Sequence, residues 1–415
     1  MRELQGDVAV VGGGPAGIAA AVAARRQGAR VVLIERHPCF GGNATSASVA
    51  SFCGFYTRGA QPDVAVAGIG GEVIERLAKV GDGTEVSSSS SGNTTVKFNP
   101  EDLKAVLDDV MADEGVGALL HATFAGCACA GGEISSIDCV DDEGRFTVRA
   151  AQYVDATGNA ALAASAGVPT QWGDAQGVVQ QASLVFRLDG LPARVIDPSE
   201  LREAIIAGKK AGIVGLSKEG GVIIKFDDAT YGFCTIPSTP LADLSARTLT
   251  AVERNLRHQA RTYAEAFRRF IPDMAGATVS HTGPTVGLRE SRRVCGEACI
   301  TGDAILAGEK RDDSVARAAW SPEIHSTSLE PRFEHIPDND YASIPWGALK
   351  AERVRNLWVA GRCISCDPLA LASVRVMGTS FATGHAAGVS AALAVAGTPD
   401  VQDVRRVLRE QHALL

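Results

Sequence analysis

Aromatic residues are scarce in this chain, at 5% of 415 residues, whereas glycine is abundant at 45 residues. Few bulky rings and many glycines point to backbone packed closely against something, such as a large cofactor. An excess of positive charge is also missing. Forty basic residues face 48 acidic ones, giving a net charge of −8, and no basic stripe stands out. That argues against a nucleic-acid partner. Ten cysteines in a chain this long are too few for a disulfide scaffold. They read as mostly reduced thiols of a cytoplasmic protein. Long clean apolar runs are absent as well. Residues 8–24 are interrupted by Gly12, Gly13, Gly14 and Pro15, and residues 379–397 by His385. Both read as buried segments, so no membrane span is expected. The start of the chain is polar and short, and no secretory signal is expected there. No tandem repeat is visible. What remains is 46% hydrophobic and 21% charged residues, the balance of a soluble globular protein. The length calls for two or three domains.

Residues 7–11 form a short apolar run that ends in glycines and predict a buried strand. Residues 15–27 predict a helix of small residues, and 29–35 (ARVVLIE) a second buried strand. This is a β-α-β unit with a tight first turn. The serine run in 87–92 predicts an exposed loop, and 99–114 a helix. Residues 118–148 predict strands with turns near Gly131 and Gly144, and 151–156 another short strand. From about 167 the pattern changes to mixed strands (182–188, 221–226, 231–236) and a long helix over 246–270. No nucleotide motif occurs there, which predicts a substrate domain. The buried-strand pattern returns at 356–360, followed by a small-residue helix over 378–396. The expected organisation is a discontinuous cofactor domain, 1–166 and 343–415, with a substrate domain, 167–342, inserted between its halves.

The strongest chemical motif is Gly12-Gly13-Gly14-Pro15-Ala16-Gly17, which contains G-x-G-x-x-G between strand and helix. Gly12 permits the tight turn, Gly14 lets a pyrophosphate approach, and Gly17 allows close helix–strand packing. The helix N-terminus offers unpaired N–H groups to phosphates. Glu35 follows Gly17 by 18 residues, at the end of the second strand, where a carboxylate can accept ribose hydroxyls. This fingerprint alone leaves NAD and FAD open.

Three further segments bear on that choice: Gly41-Gly42-Asn43-Ala44 with Arg36 upstream, Ala156-Thr157-Gly158, and Gly361-Arg362. With the first fingerprint they resemble the FAD-binding domain of the glutathione-reductase-like flavoproteins. Arg289-Glu290-Ser291-Arg292, Gly361-Arg362-Cys363-Ile364-Ser365 and Ser373-Val374-Arg375 resemble a bacterial FAD-dependent oxidoreductase family. The resemblance implies an α/β fold: a Rossmann-like FAD-binding domain of the glutathione-reductase type with an inserted β-rich substrate domain. It implies bound FAD, with its ADP half over Gly12–Gly17 and Glu35, and the 41–44 loop near the ribityl or ring region. Phe124 and Ala125 would lie against adenine by strand position. Gly361, Gly378 and Thr379 would meet the flavin ring, and the last helix would aim its N-terminus at the pyrimidine edge. One departure stands out. Relatives often carry a His-Glu pair where this chain has Cys366-Asp367-Pro368, so no acid–base role is carried over to that loop.

Arg289 and Arg292 have the guanidinium fork for a substrate carboxylate or the flavin, or else pair internally with Glu290 or another acid. Arg375 lies in an apolar run and needs a partner, for which cofactor or substrate is the preferred reading. His281 is a candidate general base, weighed against a core or loop-capping histidine. His385 reads as a packing residue. Cys363 and Cys366 form C-x-x-C but lie far from the N-terminal fold, so a redox disulfide is disfavoured. Cys295 and Cys299 are expected on one helix face and Cys127 and Cys129 on one strand face, all as core thiols without a metal site. The expected activity is hydride transfer between a small organic substrate and flavin N5. Oxygen, a quinone or another acceptor would complete the cycle, and the oligomeric state stays open. The rivals are an NAD(P)H-dependent flavin monooxygenase or halogenase, a non-catalytic flavin-carrying subunit, and an NAD dehydrogenase.

Overall fold

The computed structural model describes residues 2–89, 92–325, 329 and 331–415. Five short strands organise the cofactor half: β1 (Val8–Val11), β2 (Val31–Ile34), β3 (Gly117–Leu119), β4 (Gln152–Asp155) and β5 (Leu357–Val359). They pair in parallel in the order β3-β2-β1-β4-β5. All four residues of β1 are buried, the pattern of a parallel strand covered on both faces. Helix α1 (Pro15–Arg26) starts at once, with Gly14 as an N-cap that has no side chain to bond and a proline in its first turn. Proline is tolerated there because its missing N–H would be unpaired anyway.

Helix α2 (Ala246–Phe270) belongs to the middle of the chain, and helix α3 (Met377–Ala396) returns to lie against α1. Their closeness depends on glycine. A Cβ at Gly384 would stand 2.1 Å from the carbonyl oxygen of Ala16, and one at Gly388 2.2 Å from that of Ala20. The low aromatic and high glycine content therefore has a structural use in this helix–helix seam. An antiparallel sheet of Thr123–Ala130, Glu133–Asp141 and Gly144–Arg149, joined by Arg2–Gln5, contributes Ile137, Phe146 and Val148 to the same core.

The middle region has separate, smaller cores. A sheet of Ile223–Ile224, Tyr231–Cys234, Phe186–Asp189 and Thr278–Thr282 packs with α2 through Phe186, Leu188, Ala260, Tyr263, Ala264 and Phe267. Residues 294–318 of the expected substrate domain pack differently: Val294, Ile305 and Val315 join the core of the cofactor half.

Three expectations change. Ser87 and Ser88 end the strand Thr84–Ser88, while Ser90 and Ser91 lie outside the described residues. Cys295 and Cys299 share no helix. The amide N–H groups around them bond outward, Glu297 to Lys350 O and Ala298 to Gly347 O, which holds the segment extended. Cys127 and Cys129 do share a strand, and Cys127 is half-buried against the core of the cofactor half, but Cys129 is exposed; their sulfurs are 3.7 Å apart. The helix Pro198–Lys210 was legible in its capping box, Asp197 and Glu200, but escaped the periodicity reading. Among the described residues no helix is long and apolar enough to cross a membrane.

Candidate functional site

The turn between β1 and α1 is built by backbone clearance. Gly12 has φ +107°, and a Cβ on it would meet Ala156 O at 2.5 Å. A Cβ on Gly17 would sit 1.7 Å from Gly12 O. Gly14 differs: a Cβ there would meet only the Cα of Gly42, at 3.8 Å. Its side faces open space, which is the cradle a pyrophosphate needs. Glu35, buried at the end of β2, accepts the Gly13 N–H at 2.6 Å and the His37 N–H at 2.8 Å. An ionised carboxylate has about four acceptor sites, so two remain for hydroxyl groups.

A cleft of about 1220 Å³, counting its open mouth, joins this turn to distant parts of the chain. Gly12, Gly14, Pro15, Ala16, Glu35 and Arg36 line it. So do Gly42, Asn43, Phe124, Ala156, Thr157 and Gly158, and from the late segments Gly361, Arg362 and Arg375. Asp155 shapes the 156–158 turn from behind, accepting the N–H and hydroxyl of Thr157 and the N–H of Ala163. Arg362 is held by Asn159 Oδ1 at 3.0 Å and Ser291 Oγ at 3.2 Å, and burial pushes its pKa down to about 10. Met377 and Ser380, from the first turn of α3, complete this wall, and no side chain caps that helix.

Other candidates lie off the cleft surface. Gly17, Gly41 and Ala44 act behind it, in the turn and the short 3-10 helix Gly42–Ala44. Val374 is buried, and Gly378 and Thr379 sit inside the first turn of α3. Ala125 is an exposed bulge residue next to Phe124. His281 is exposed on Thr278–Thr282, opposite Arg187, and is neither a core nor a loop histidine. Arg292 gives its Nε–H to Asn159 O at 3.0 Å and leaves the cleft lining. Glu290 pairs with Arg293, a residue the sequence reading passed over, at 2.5 Å and fully buried. His385 bonds Gln411 at 2.7 Å, and burial takes its pKa down to about 4. Cys363 and Cys366 are buried free thiols, and burial pushes Cys363 up to about 12. Asp367 and Pro368 start the helix Pro368–Val374, Asp367 accepting the N–H of Ala370 and of Gly302.

Arg375 draws in two residues that sequence reading missed. Its Nη2 donates to Glu323 O at 3.0 Å and lies 4.0 Å from that carboxylate. His325 Nε2 stands 2.9 Å from Glu323 Oε1. Burial favours the protonated Glu323, but His325, Arg375 and Arg289 outweigh it and hold the pKa at about 2. Burial, then Arg289, lowers His325 to about 4. Arg289 donates to Gln181 O at 2.9 Å and is pushed down to about 10 by burial and by Arg375. The available signal was Glu323-Ile324-His325, whose alternate residues share one face of a strand.

The chain matches the family described as FAD dependent oxidoreductase over residues 7–414, and it belongs to that family. No curated protein matches it. Among solved structures it is similar to BexE, studied for oxidation during BE-7585A biosynthesis, with a TM-score of 0.53 and 15% identity. That match covers 98% of this chain and 66% of BexE, so the chain spans just under two thirds of that protein's length. A geranylgeranyl bacteriochlorophyll reductase-like protein from Thermoplasma acidophilum follows, with a TM-score of 0.48, 13% identity, and 99% and 83% of the two chains covered. OxyS anhydrotetracycline hydroxylase from Streptomyces rimosus gives 0.45, 12%, 98% and 66%. At 15% identity the property shared with BexE is the fold, an α/β Rossmann-like FAD-binding architecture with a mixed β region.

Proposed function

We propose that this FAD-dependent oxidoreductase transfers a hydride between a carbon of a small organic substrate and flavin N5, dehydrogenating or reducing that substrate. One observation carries the reading. A single cleft is lined by the dinucleotide turn, by Glu35, by the uncapped start of α3 and by the buried guanidinium of Arg375. FAD fits these residues: Gly14 leaves room for phosphate, and Glu35 has acceptor sites left for ribose. When bound, FAD supplies the ring that takes or gives the hydride.

The rest is the work of this chain. The amide N–H groups at the start of α1 hold the pyrophosphate. The first N–H groups of α3 lack helical partners and favour negative charge on the ring edge beside them. Arg375, with Arg289 behind it, orients the substrate, and the β-rich region covers it from water. Arg289 and Arg292 both lie off the cleft lining, but Arg289 interacts electrostatically with Arg375 and Glu323, whereas Arg292 is bonded to Asn159 O and His281 is exposed on its strand.

The test is anaerobic mixing of the FAD-loaded protein with alcohols, amines, carboxylic acids, NADH and NADPH, read as loss of the visible flavin band. Bleaching by an organic compound supports the reading. Bleaching by NAD(P)H alone would move the assignment to the monooxygenase or reductase class. A flavin that nothing reduces would mark a non-catalytic subunit.

A further inference from the structure

The surroundings of Arg375 carry an unbalanced charge. Two guanidinium groups, Arg289 and Arg375, share one carboxylate, Glu323. Glu323 is not a tight partner for Arg375, because the guanidinium bonds its backbone carbonyl at 3.0 Å and its carboxylate stands at 4.0 Å. His325 bonds the other carboxylate oxygen, Oε1, while Oε2 is the one that faces Arg375. Arg375 Nε is buried with no hydrogen-bond partner among the described residues. The other facing groups do not restore balance. His325 is neutral near pH 7, and Cys53, pushed up to about 12 by burial, is a neutral thiol. Glu290 is committed to Arg293. Lys218, lowered by burial and by Arg289, adds positive charge if anything. Among the described residues, Arg289 and Arg375 together thus leave at least one positive charge uncompensated, at a side chain only 12% exposed that lines the cleft. A buried charge of this kind calls for a counter-charge.

We infer that Arg375 and Arg289 form a carboxylate receptor, and that the substrate is a small organic acid bound as its monoanion. This rests on the hydride-transfer reading for the word substrate, but the receptor is testable without turnover. The Arg375 guanidinium presents a planar fork of N–H donors at the cleft wall that matches a carboxylate better than a spherical or tetrahedral anion, and Arg289, off the cleft lining and bonded to Gln181 O, adds its charge from behind. Glu323 and His325 are positioning residues. The bond from His325 fixes the Glu323 carboxylate, whose Oε2 stands 4.0 Å from Arg375, beyond hydrogen-bond reach.

The experiment titrates oxidised FAD-loaded protein with acetate, propionate and oxalate, against acetamide, propionamide, chloride and phosphate. It reads the shift of the flavin spectrum and, in parallel, the melting temperature. The carboxylates are expected to bind and the amides not to. Arg375→Met should weaken carboxylate binding by about 10- to 100-fold, with flavin retained. His325→Asn should weaken it less, and Arg375→Lys should recover part of it. Amides binding as well as carboxylates in the unaltered protein would overturn the receptor, whatever the variants do. So would phosphate binding tighter than every carboxylate. If the protein retained no flavin, the hydride reading would fail, while the melting-temperature arm would still decide the receptor.

Discussion

The two halves of this protein are held together by different means. In the cofactor half the backbone is the packing surface. α1 and α3 meet where Gly384 and Gly388 face Ala16 and Ala20, and the first turn closes where Gly17 faces Gly12. In the inserted region side chains do the packing. Tyr263 and Phe267 of α2 fill a small core, and the Tyr263 hydroxyl ties down Lys218 through both its N–H and its carbonyl. The difference teaches where change is tolerated. A backbone seam has no room to adjust, whereas a side-chain core loses stability in proportion to what is removed.

The largest effect is expected at the seam. Gly384→Val would drive a side chain into the carbonyl of Ala16, and destabilisation beyond about 4 kcal/mol is expected. Thermal unfolding and flavin content should collapse together. Phe267→Ala sharpens the contrast. It should cost about 3–5 kcal/mol in the inserted region yet leave flavin content near normal in the protein that remains folded. Equal loss of flavin in both variants would erase the distinction.

Glu35→Gln comes next. It keeps the shape but removes the charge that accepts Gly13 and His37 N–H. Apoprotein titrated with FAD should bind roughly 10- to 100-fold more weakly. An unchanged affinity would mean that Glu35 only shapes the turn.

A smaller effect is expected with pH. His385 has its pKa lowered from 6.5 to about 4 by burial in the folded chain. Between those values the unfolded state binds the extra proton, so stability falls as pH drops from about 6.5 and levels off near 4. His385→Gln should flatten that part of the melting-temperature profile. A profile of the same slope would place the acid sensitivity elsewhere, with His325 the first alternative. Smallest of all, His281→Ala, at an exposed strand position, should change the rate of flavin reduction less than about twofold, since surface substitutions seldom matter.

The same contrast governs how much of the molecule was legible in its sequence. Around the cofactor, function lies in contiguous motifs. The turn at Gly12–Gly17 and the carboxylate of Glu35 stand where strand–turn–helix logic puts them, because one backbone geometry needs glycine at fixed spacing. The fit of α3 against α1 was visible only as a helix of small residues. Its purpose appears when Gly384 meets Ala16. The far wall was less legible. Arg375 was noticed because charge in an apolar run needs a partner, and Arg289 because it stands in the Arg289–Arg292 segment with a guanidinium fork. Glu323 and His325 come from a two-residue strand and its neighbour, and their alternation around Ile324 is the one weak local mark. The fold brings them to Arg375 from 52 residues away. The reading of Cys295 and Cys299 failed for a related reason: helical spacing was present, but their neighbours' amides bond to Gly347 and Lys350 instead.

The most direct test of the central claim is a single anaerobic turnover with the organic compound that bleaches the flavin, compared with the same compound deuterated at the reacting carbon. Slower bleaching with the deuterated compound is predicted, because the carbon–hydrogen bond breaks as the flavin is reduced. Equal rates, or a flavin that no organic compound reduces and whose reduced form no organic compound reoxidises, would contradict it.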